Sequence, residues 1–419
     1  MLEFKATSID ITRKPSVLSG FASRQEPVET VHSLLEATAF LFRSQGAINL
    51  FITLDTLFVS GSLKNFVLEY LRENFDELDE SNVWISASHT HYAPSLEEKR
   101  WALGKVDVMY LDFLKGQITT LLESLRSLDF ASVYLEYAEG QAEGVTTNRR
   151  RKARFIRSYF RPEILIEPTN KGVKDESLKL VKVIENDSNN LLGVFWNFAC
   201  HPTNLHNSKL ISSEFPGAIR NTSRTLARKD IPVAFFQGFS GNIRAAVEVK
   251  GSFNFWIRKV LQLSYPVRFY RFENSKEYEG WINGLTGIYK RIWSNTSQMA
   301  SCELRTTTIY KEKIKTILGI TAEGVDELIF RSVSFGDDLT LVSISAEVVS
   351  EYSTIVKKSI DSKNIFMIGY TDEVFGYLPT SKHVKEGGYE SNGFFEPFLI
   401  KGEFTASLET KIEECLKNI

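Results

Sequence analysis

The chain has 419 residues, of which 24% are charged and 43% are hydrophobic. Its 50 lysines and arginines nearly balance 52 aspartates and glutamates, which leaves a formal net charge of -2. This composition is typical of a soluble globular protein and excludes a disordered or collagen-like chain. The lack of a basic excess argues against a nucleic-acid partner. The length is sufficient for one large domain or for two or three smaller ones.

The cysteines and the first residues of the chain favour a cytoplasmic protein. Three cysteines are too few and too scattered for a disulfide framework or a cysteine-rich zinc module, so a reducing compartment fits best. Charged residues such as Lys5 and Asp10 interrupt the first fifteen positions, so we expect no signal peptide. No run approaches the ~18 apolar residues of a membrane-spanning helix, so we also expect no transmembrane segment.

The first elements in chain order predict a β-α-β unit. Residues 33–55 contain two apolar strands, the second of which ends at Asp55. Apolar residues at helical spacing over 63–75 predict a helix, and a strand is predicted at 82–88. Because a crossover helix usually joins parallel strands, Asp55 and His89 are predicted to leave the same edge of a sheet.

The remaining elements continue this alternation, which predicts an α/β fold with mixed β-sheets flanked by helices. The further predicted elements are a helix at 106–127, a strand at 130–138, a hairpin at 178–199, a helix beginning near Pro216, a strand at 231–236, a mostly helical aromatic-rich segment at 252–295, a hairpin at 328–345 and a strand at 364–370.

Several residues that can bind a metal ion follow predicted strands. His89 and His91 come directly after one strand, and His201 follows another. Glu347 ends a third strand, and Tyr377 lies shortly after a fourth. Functional groups of α/β proteins gather at the carboxyl ends of strands, and neutral imidazole is the commonest metal ligand. The pattern alone leaves two hypotheses open, a metal site at the carboxyl ends of strands or satisfied polar and surface histidines.

A set of short motifs resembles the neutral/alkaline (non-lysosomal) ceramidase family. In the order of that family, they are Ser-His-Thr-His at 88–91, Asn-Arg at 148–149, Phe-Ala-Cys-His-Pro-Thr at 198–203, Ile-Ser-Ser-Glu-Phe-Pro-Gly at 211–217, Gln-Gly-Phe-Ser-Gly-Asn at 237–242, and Gly-Tyr-Thr at 369–371 through Gly-Tyr-Leu-Pro-Thr at 376–380 to Gly-Tyr-Glu at 388–390. The resemblance implies one catalytic domain over 1–419, with an aromatic-rich insertion at about 250–298. The family's C-terminal immunoglobulin-like domain is expected to be missing.

The resemblance also implies a site with one Zn²⁺ per chain. Its implied ligands are His89, His201, Glu347 and Tyr377. His91, Arg149 and Tyr389 match the family's catalytic or substrate-polarising positions. Zinc lowers the pKa of bound water to about 7, and this water would attack an amide carbonyl. Arg149 and Tyr389 are expected to stabilise the oxyanion, and His91 is expected to protonate the leaving amine.

Four further residues are expected to complete the site. Gly238, Ser240 and Asn242 lie in a loop that is expected to line the substrate site, because small residues permit close approach of a ligand. Asp55 is expected to accept the free N–H of a metal-binding histidine, as carboxylates commonly do. Its alternative is an ordinary aspartate at a strand end.

Two unusual segments bear on the substrate. Six lysines and arginines lie between 149 and 157, and Arg150-Arg151 replace the Ser-Pro that is usual in the family. The run is interpreted either as a solvated face or as a rim that attracts an anionic substrate. The aromatic residues between 253 and 272 are interpreted as core, with an acyl-chain channel or a lip that touches a membrane as the alternative.

We therefore predict a zinc-dependent amidohydrolase that cleaves the N-acyl bond of a small ceramide-like substrate, either lipid-like or anionic. One alternative is a zinc hydrolase that acts on another ester or on an N-acylated sugar or amine. The other alternative is a ligand-binding homologue without turnover. No oligomeric state is indicated by the sequence.

Overall fold

The computed structural model describes residues 1–14, 17–21, 28–153, 163–246, 272 and 274–419. The strands are β1 (Leu2–Asp10), β2 (Thr30–Val31), β3 (Glu36–Ser44), β4 (Ala47–Leu54), β5 (Val83–Ala87), β6 (Ala131–Gln141), β7 (Thr146–Ala153), β8 (Glu163–Thr169), β9 (Ser177–Glu185), β10 (Leu191–Phe198), β11 (Leu210–Ile211), β12 (Val233–Gln237), β13 (Ile243–Ala245), β14 (Ser297–Gln298), β15 (Thr308–Lys313), β16 (Ile320–Ala322), β17 (Glu327–Phe335), β18 (Leu339–Ile344), β19 (Glu347–Val348), β20 (Asn364–Ile368), β21 (Tyr377–Leu378) and β22 (Ile400–Gly402). The α-helices are α1 (Gly61–Asn74), α2 (Val108–Ser127), α3 (Glu214–Ala227), α4 (Ser275–Trp293), α5 (Ile314–Leu318), α6 (Tyr352–Ser359), α7 (Ser381–Glu386) and α8 (Leu408–Leu416).

The larger of the two main sheets has nine strands. Eight of them follow the order β12-β10-β9-β6-β1-β3-β4-β5, and β14 pairs with β6 outside this path. Strand β4 runs parallel to β5, and β10 runs parallel to β12, whereas the remaining pairs are antiparallel. The predicted β-α-β unit and the predicted mixed sheets are therefore confirmed.

The smaller main sheet packs against the larger one through an aromatic core. Its order is β15-β17-β18-β20, with β18 and β20 parallel. Phe42 of the larger sheet and Phe335 of the smaller sheet meet edge to face, with ring centroids 5.1 Å apart. The buried aromatic residues between the sheets are Phe4, Phe40, Phe42, Phe51, Trp84, Phe195, Phe236, Phe335 and Phe366. Large rings on alternate strand positions thus fill the space between two sheet faces.

Helices cover the outer faces of both sheets, which gives four layers. Helices α1 and α2 pack on strands β3 to β5, and α3 and α4 pack on β9, β10 and β12. Helices α5, α6 and α8 pack on the smaller sheet. The longest helix, α2, begins after Asp107, whose side chain accepts a hydrogen bond from the Tyr110 N–H. Its buried residues recur at helical spacing and include Leu111, Leu114 and Ile118.

Most predicted elements are confirmed with small changes of boundary. Both predicted hairpins form, as β9–β10 and β17–β18. Within the aromatic-rich segment, α4 is confirmed and buries Leu285 and Tyr289, whereas residues 250–271 lie outside the described part of the chain. The single-domain organisation over 1–419 stays a prediction. Among the described helices, none is both long and apolar enough to cross a membrane.

Candidate metal centre

Three histidine side chains converge where parallel strand pairs of the larger sheet end. His89 and His91 follow β5, and His201 follows β10. The Nε2 atoms of His89 and His201 are 3.1 Å apart, and the Nε2 atoms of His91 and His89 are 3.3 Å apart. One ring nitrogen from each histidine lies within 4.8 Å of the other two. The sequence-based expectation that these residues meet is therefore confirmed, and the cluster is consistent with a metal site.

Backbone carbonyls fix the orientation of two of these imidazoles. His89 Nδ1 donates to the Leu57 carbonyl oxygen at 3.0 Å, and His201 Nδ1 donates to the Ser240 carbonyl oxygen at 2.7 Å. A carbonyl oxygen only accepts, so each Nδ1 carries a proton, and in the neutral form of either ring the lone pair is on Nε2. Burial and the nearby Arg149 lower the pKa of His201 to about 3, so this ring is neutral near pH 7. Neutral imidazole is the form that binds a metal ion.

A carboxylate oxygen of Glu347 lies close to the Nε2 atoms of both His89 and His201. Glu347 Oε2 lies 3.3 Å from His89 Nε2 and 3.5 Å from His201 Nε2. This oxygen is buried and has no hydrogen-bond donor among the described residues. Leaving such an oxygen without a partner is costly, and two nitrogen lone pairs that face each other repel. A divalent cation bound by these three atoms would remove both penalties, so the residues present fit a metal ion.

Tyr377 lies beside Glu347 because of the register of a short strand pair. Strands β19 and β21 are parallel, and Glu347 is paired with Tyr377. The Tyr377 hydroxyl accepts a hydrogen bond from Arg149 Nη2 at 3.0 Å. Burial and the Glu347 carboxylate raise the pKa of this phenol well above its usual value. Its role as a metal ligand stays a prediction.

Arg149 is held in place by a buried carboxylate that also holds Arg150. Glu390 Oε1 accepts from Arg149 Nε at 2.7 Å, and Glu390 Oε2 accepts from Arg150 Nη1 at 2.7 Å. The register of β7 against β8 shifts between Asn148 and Arg150, which lets two successive arginines reach one carboxylate. Tyr389 precedes Glu390, and its ring centroid is 5.5 Å from that of Tyr377. Five side chains thus form one cluster, namely those of Arg149, Arg150, Tyr377, Tyr389 and Glu390.

In the described part of the basic run, Arg149 and Arg150 are buried, whereas Arg151 and Lys152 are exposed to solvent. Besides the Arg150–Glu390 pair, Arg151 Nε lies 2.7 Å from Glu167 Oε2, and Lys152 Nζ lies 2.7 Å from Glu386 Oε1. Each described cation of the run thus has a carboxylate partner, and Arg149 and Arg150 share Glu390. This charge compensation removes the basis for an anion-attracting rim at these positions. Arg154 and Arg157 lie outside the described residues.

The role predicted for Asp55 is wrong. Asp55 Oδ2 accepts from Arg220 Nη1 at 2.8 Å and from the Glu36 backbone N–H at 3.0 Å. The parallel arrangement of β4 and β5 is present, so Asp55 and His89 do leave the same sheet edge. The Asp55 carboxylate is paired with the buried guanidinium of Arg220, and the Nδ1 atoms of His89 and His201 donate to backbone carbonyl oxygens.

The loop at 237–242 holds His201 in place through the Ser240 carbonyl oxygen, and its own side chains are held by other hydrogen bonds. Asn242 Nδ2 donates to Glu351 Oε2 at 2.8 Å, and Asn242 Oδ1 accepts from the Ser350 N–H at 2.9 Å. Ser240 Oγ accepts from Gln237 Nε2 at 2.6 Å. A Cβ at Gly238 would lie 2.9 Å from the Ala199 backbone, so only glycine fits there. Gly238, Ser240 and Asn242 are buried, and their contacts to a substrate stay a prediction.

The site also contains a residue that sequence reasoning missed. Tyr370 follows β20, and its ring centroid lies 4.1 Å from that of His89 with an interplanar angle of 31°. The same strand-end criterion that selected the histidines would have selected Tyr370. His89 and Tyr370 both adopt left-handed backbone conformations, with φ of 63° and 58°. Bulky residues rarely do so, and such strain is concentrated at functional sites.

Comparisons with known proteins agree with the fold and with the motifs. A family model described as neutral/alkaline non-lysosomal ceramidase, N-terminal, matches residues 6–238. The crystal structure of neutral ceramidase from Pseudomonas aeruginosa is similar with a TM-score of 0.75, at 15% identity over 99% of this chain and 74% of that chain. A ceramidase complexed with C2 gives a TM-score of 0.75, at 14% identity and the same coverage. No curated protein matches the sequence. At these identities the structural similarity establishes the fold.

Proposed function

The chain belongs to the neutral/alkaline non-lysosomal ceramidase family, and from this premise we propose that it is a zinc-dependent amidohydrolase that cleaves the N-acyl bond of a ceramide-like lipid. The observation that carries the proposal is the convergence of the His89 and His201 lone pairs on the Glu347 oxygen that has no donor. We further propose that 1–419 acts as one catalytic unit, since residues from His89 to Glu390 contribute to one cluster.

The proposed zinc ligands are His89, His201, Glu347 and Tyr377. A zinc ion bound there would supply a Lewis acid that polarises the amide carbonyl and lowers the pKa of a water molecule. The two carbonyl acceptors at Leu57 and Ser240 select the neutral tautomer in which the lone pair is on Nε2, and they orient both Nε2 atoms towards each other. This pre-orientation is what a catalytic metal site requires of its protein ligands.

Arg149 and Tyr389 are proposed to stabilise the negative charge that develops on the amide oxygen. Glu390 fixes Arg149 through Nε, Tyr377 accepts from Nη2, and Nη1 has no hydrogen bond to a described residue. Because two of its nitrogens are already held, the guanidinium loses little further conformational entropy when its third nitrogen donates to the oxyanion. Tyr389 is half-buried and close to Arg149, whose guanidinium lies 6.0 Å from the Tyr389 ring centroid.

His91 is proposed to protonate the leaving amine. It is half-buried, unlike His89 and His201, and its Nε2 lies 3.3 Å from His89 Nε2. Phe21 packs against its ring with centroids 4.9 Å apart, and a Cβ at Gly20 would lie 2.4 Å from His91 Nδ1. The ring is therefore confined beside the proposed metal ligands while part of it stays accessible, as a general acid requires.

The substrate is proposed to be a neutral ceramide-like amide in place of an anionic one. The described cations that suggested an anionic substrate are paired with Glu390, Glu167 and Glu386. The family itself supports a lipid-like amide. Localisation in the cytoplasm stays a prediction from the sequence.

The proposal is tested on purified full-length protein by elemental analysis and by hydrolysis of N-acylsphingosine in detergent micelles. We expect about one zinc per chain and release of fatty acid from the amide, with loss of activity after chelation and recovery on adding zinc. An ester of the same acyl chain serves as the matched substrate. Hydrolysis of the ester without release of fatty acid from the amide would reject the amidase assignment, and zinc well below one per chain after expression with excess metal would reject the zinc site.

Arg149→Ala is expected to lower turnover of the amide by roughly 10²–10³-fold while zinc content stays at the wild-type level, because one oxyanion donor is lost and no metal ligand is removed. Turnover and zinc content are measured on the same preparations. Arg151→Ala is the matched control, since Arg151 lies on the same strand and pairs with Glu167 at a partly exposed position. Loss of zinc from the Arg149 variant would contradict the role given to this residue.

A further inference from the structure

Tyr370 has extensive contacts with the proposed metal ligands, although the sequence assigned it no role. Its ring is tilted by 31° from that of His89, with centroids 4.1 Å apart, and its side chain is fully buried. Its hydroxyl is 3.1 Å from Ser240 Oγ and interacts electrostatically with the Glu347 carboxylate. Ser240 in turn holds His201 through its backbone carbonyl. One side chain is thus linked to three proposed ligands.

The hydroxyl of Tyr370 ends an ordered series of hydrogen bonds. Gln237 Nε2 donates both to the Cys200 carbonyl oxygen at 2.7 Å and to Ser240 Oγ at 2.6 Å. Because Ser240 Oγ already accepts from Gln237, its own hydrogen is available for the Tyr370 oxygen. The Tyr370 hydroxyl also interacts electrostatically with the Glu347 carboxylate. Such a series restricts each rotor to one orientation.

The backbone of Tyr370 joins the same two segments. Its N–H donates to the Ala346 carbonyl oxygen at 3.2 Å, directly before Glu347. Its carbonyl oxygen accepts from the Ala87 N–H at 3.0 Å, two residues before His89. These bonds are made in the left-handed conformation, in which φ is 58° and which a tyrosine adopts only when its surroundings impose it. The position is therefore held by contacts to both ligand-bearing segments.

We propose that Tyr370 is a positioning residue that sets the relative placement of His89, Glu347 and His201 and so raises the affinity of the site for zinc. The inference rests on the proposed function, because it concerns the metal site of the proposed amidohydrolase. The phenol ring fixes the plane of the His89 imidazole, and the hydroxyl fixes Ser240 and the Glu347 carboxylate. Loss of groups that orient metal ligands typically weakens metal affinity by roughly 10- to 100-fold.

The test compares Tyr370→Phe and Tyr370→Leu with the wild-type chain. The first variant removes only the hydroxyl, and the second also removes the ring that packs on His89. Zinc affinity of the metal-stripped full-length protein is measured by competition with a chromophoric chelator, and the visible absorption of the cobalt-substituted protein reports ligand geometry. We expect roughly 10-fold weaker zinc binding for Tyr370→Phe, a larger loss for Tyr370→Leu, and a changed cobalt spectrum in both.

A matched control separates positioning from packing. Tyr289 is also fully buried, and its hydroxyl lies 2.7 Å from Ser223 Oγ on the helical side of the larger sheet. Tyr289→Phe is expected to change the urea unfolding midpoint about as much as Tyr370→Phe does, with zinc affinity and cobalt spectrum unchanged. Wild-type zinc affinity and cobalt spectrum in Tyr370→Phe would overturn the inference alone. A wild-type chain that binds no zinc would overturn the proposed function and this inference with it.

Discussion

Replacing His201 with alanine is expected to remove the bound zinc and to lower amide hydrolysis by roughly 10³-fold or more. His201 is fully buried, and its Nε2 faces His89 Nε2 at 3.1 Å. Polarisation by a metal ion is worth several kcal/mol in the transition state, and each 1.4 kcal/mol corresponds to a factor of ten. Zinc content and steady-state hydrolysis of N-acylsphingosine are the measurements.

His206→Ala is the matched control for this variant. His206 lies five positions further along the same loop, and its side chain is exposed. The His206→Ala variant is expected to keep zinc and activity. A loss of zinc in this variant as well would show that any histidine replacement in this loop has that effect. Thermal unfolding of the metal-stripped proteins checks that the His201 variant is folded. Full zinc occupancy in folded His201→Ala would contradict the assignment of this ligand.

The strands and most helices could be predicted because local sequence patterns determine them. The second hairpin is an example, since two apolar runs flank Gly336-Asp337-Asp338 and the structure pairs Phe335 with Leu339. Helix α8 was missed, although its four buried residues recur at helical spacing. The stacking of two sheets between helices depends on contacts between distant segments, which no single window of sequence contains.

The candidate site could be predicted in part, and the failures have a common physical cause. Residues at strand ends were found because strand ends are local features, and His89, His201 and Glu347 do meet. Asp55 was assigned wrongly because its partner, Arg220, lies 165 positions away. A charged side chain forms an ion pair with the opposite charge that the fold brings nearest to it. Its role therefore depends on tertiary structure. The segment from Arg150 to Lys152 shows the same effect with its glutamate partners.

The strained segment that carries Tyr370 is anchored by a buried ion pair two residues further on. Asp372 also has a left-handed backbone, with φ of 53°. Its two carboxylate oxygens accept from Arg331 Nε and Nη2 at 2.9 and 3.0 Å, and Lys64 Nζ lies 3.2 Å from Oδ1. The Arg331 guanidinium is also completely buried and donates to the Glu80 carbonyl oxygen. A planar two-point contact of this kind fixes both partners.

Replacing Asp372 with alanine is expected to lower the free energy of unfolding by about 3–5 kcal/mol, because it leaves the buried Arg331 guanidinium without its carboxylate. Urea unfolding of the metal-stripped protein at neutral pH measures the change. Asp337→Ala is the control, since it removes the partner of Arg305 from an exposed pair and is expected to cost less than about 1 kcal/mol. A loss of similar size in both variants would contradict the special role of the buried pair.

The same ion pair predicts how stability depends on pH. Burial alone would raise the pKa of Asp372, but Arg331 and Lys64 outweigh it and hold this pKa at about 2. An unfolded aspartate titrates near pH ~3.9, so the folded state keeps its carboxylate charged at lower pH than the unfolded state does. The stabilisation is therefore complete above about pH 4 and is lost as the pH falls through about 2. As the pH is lowered from 6 to 3, the free energy of unfolding should fall more steeply for the wild type than for Asp372→Ala. Parallel profiles of the two proteins would show that Asp372 is not the group that titrates.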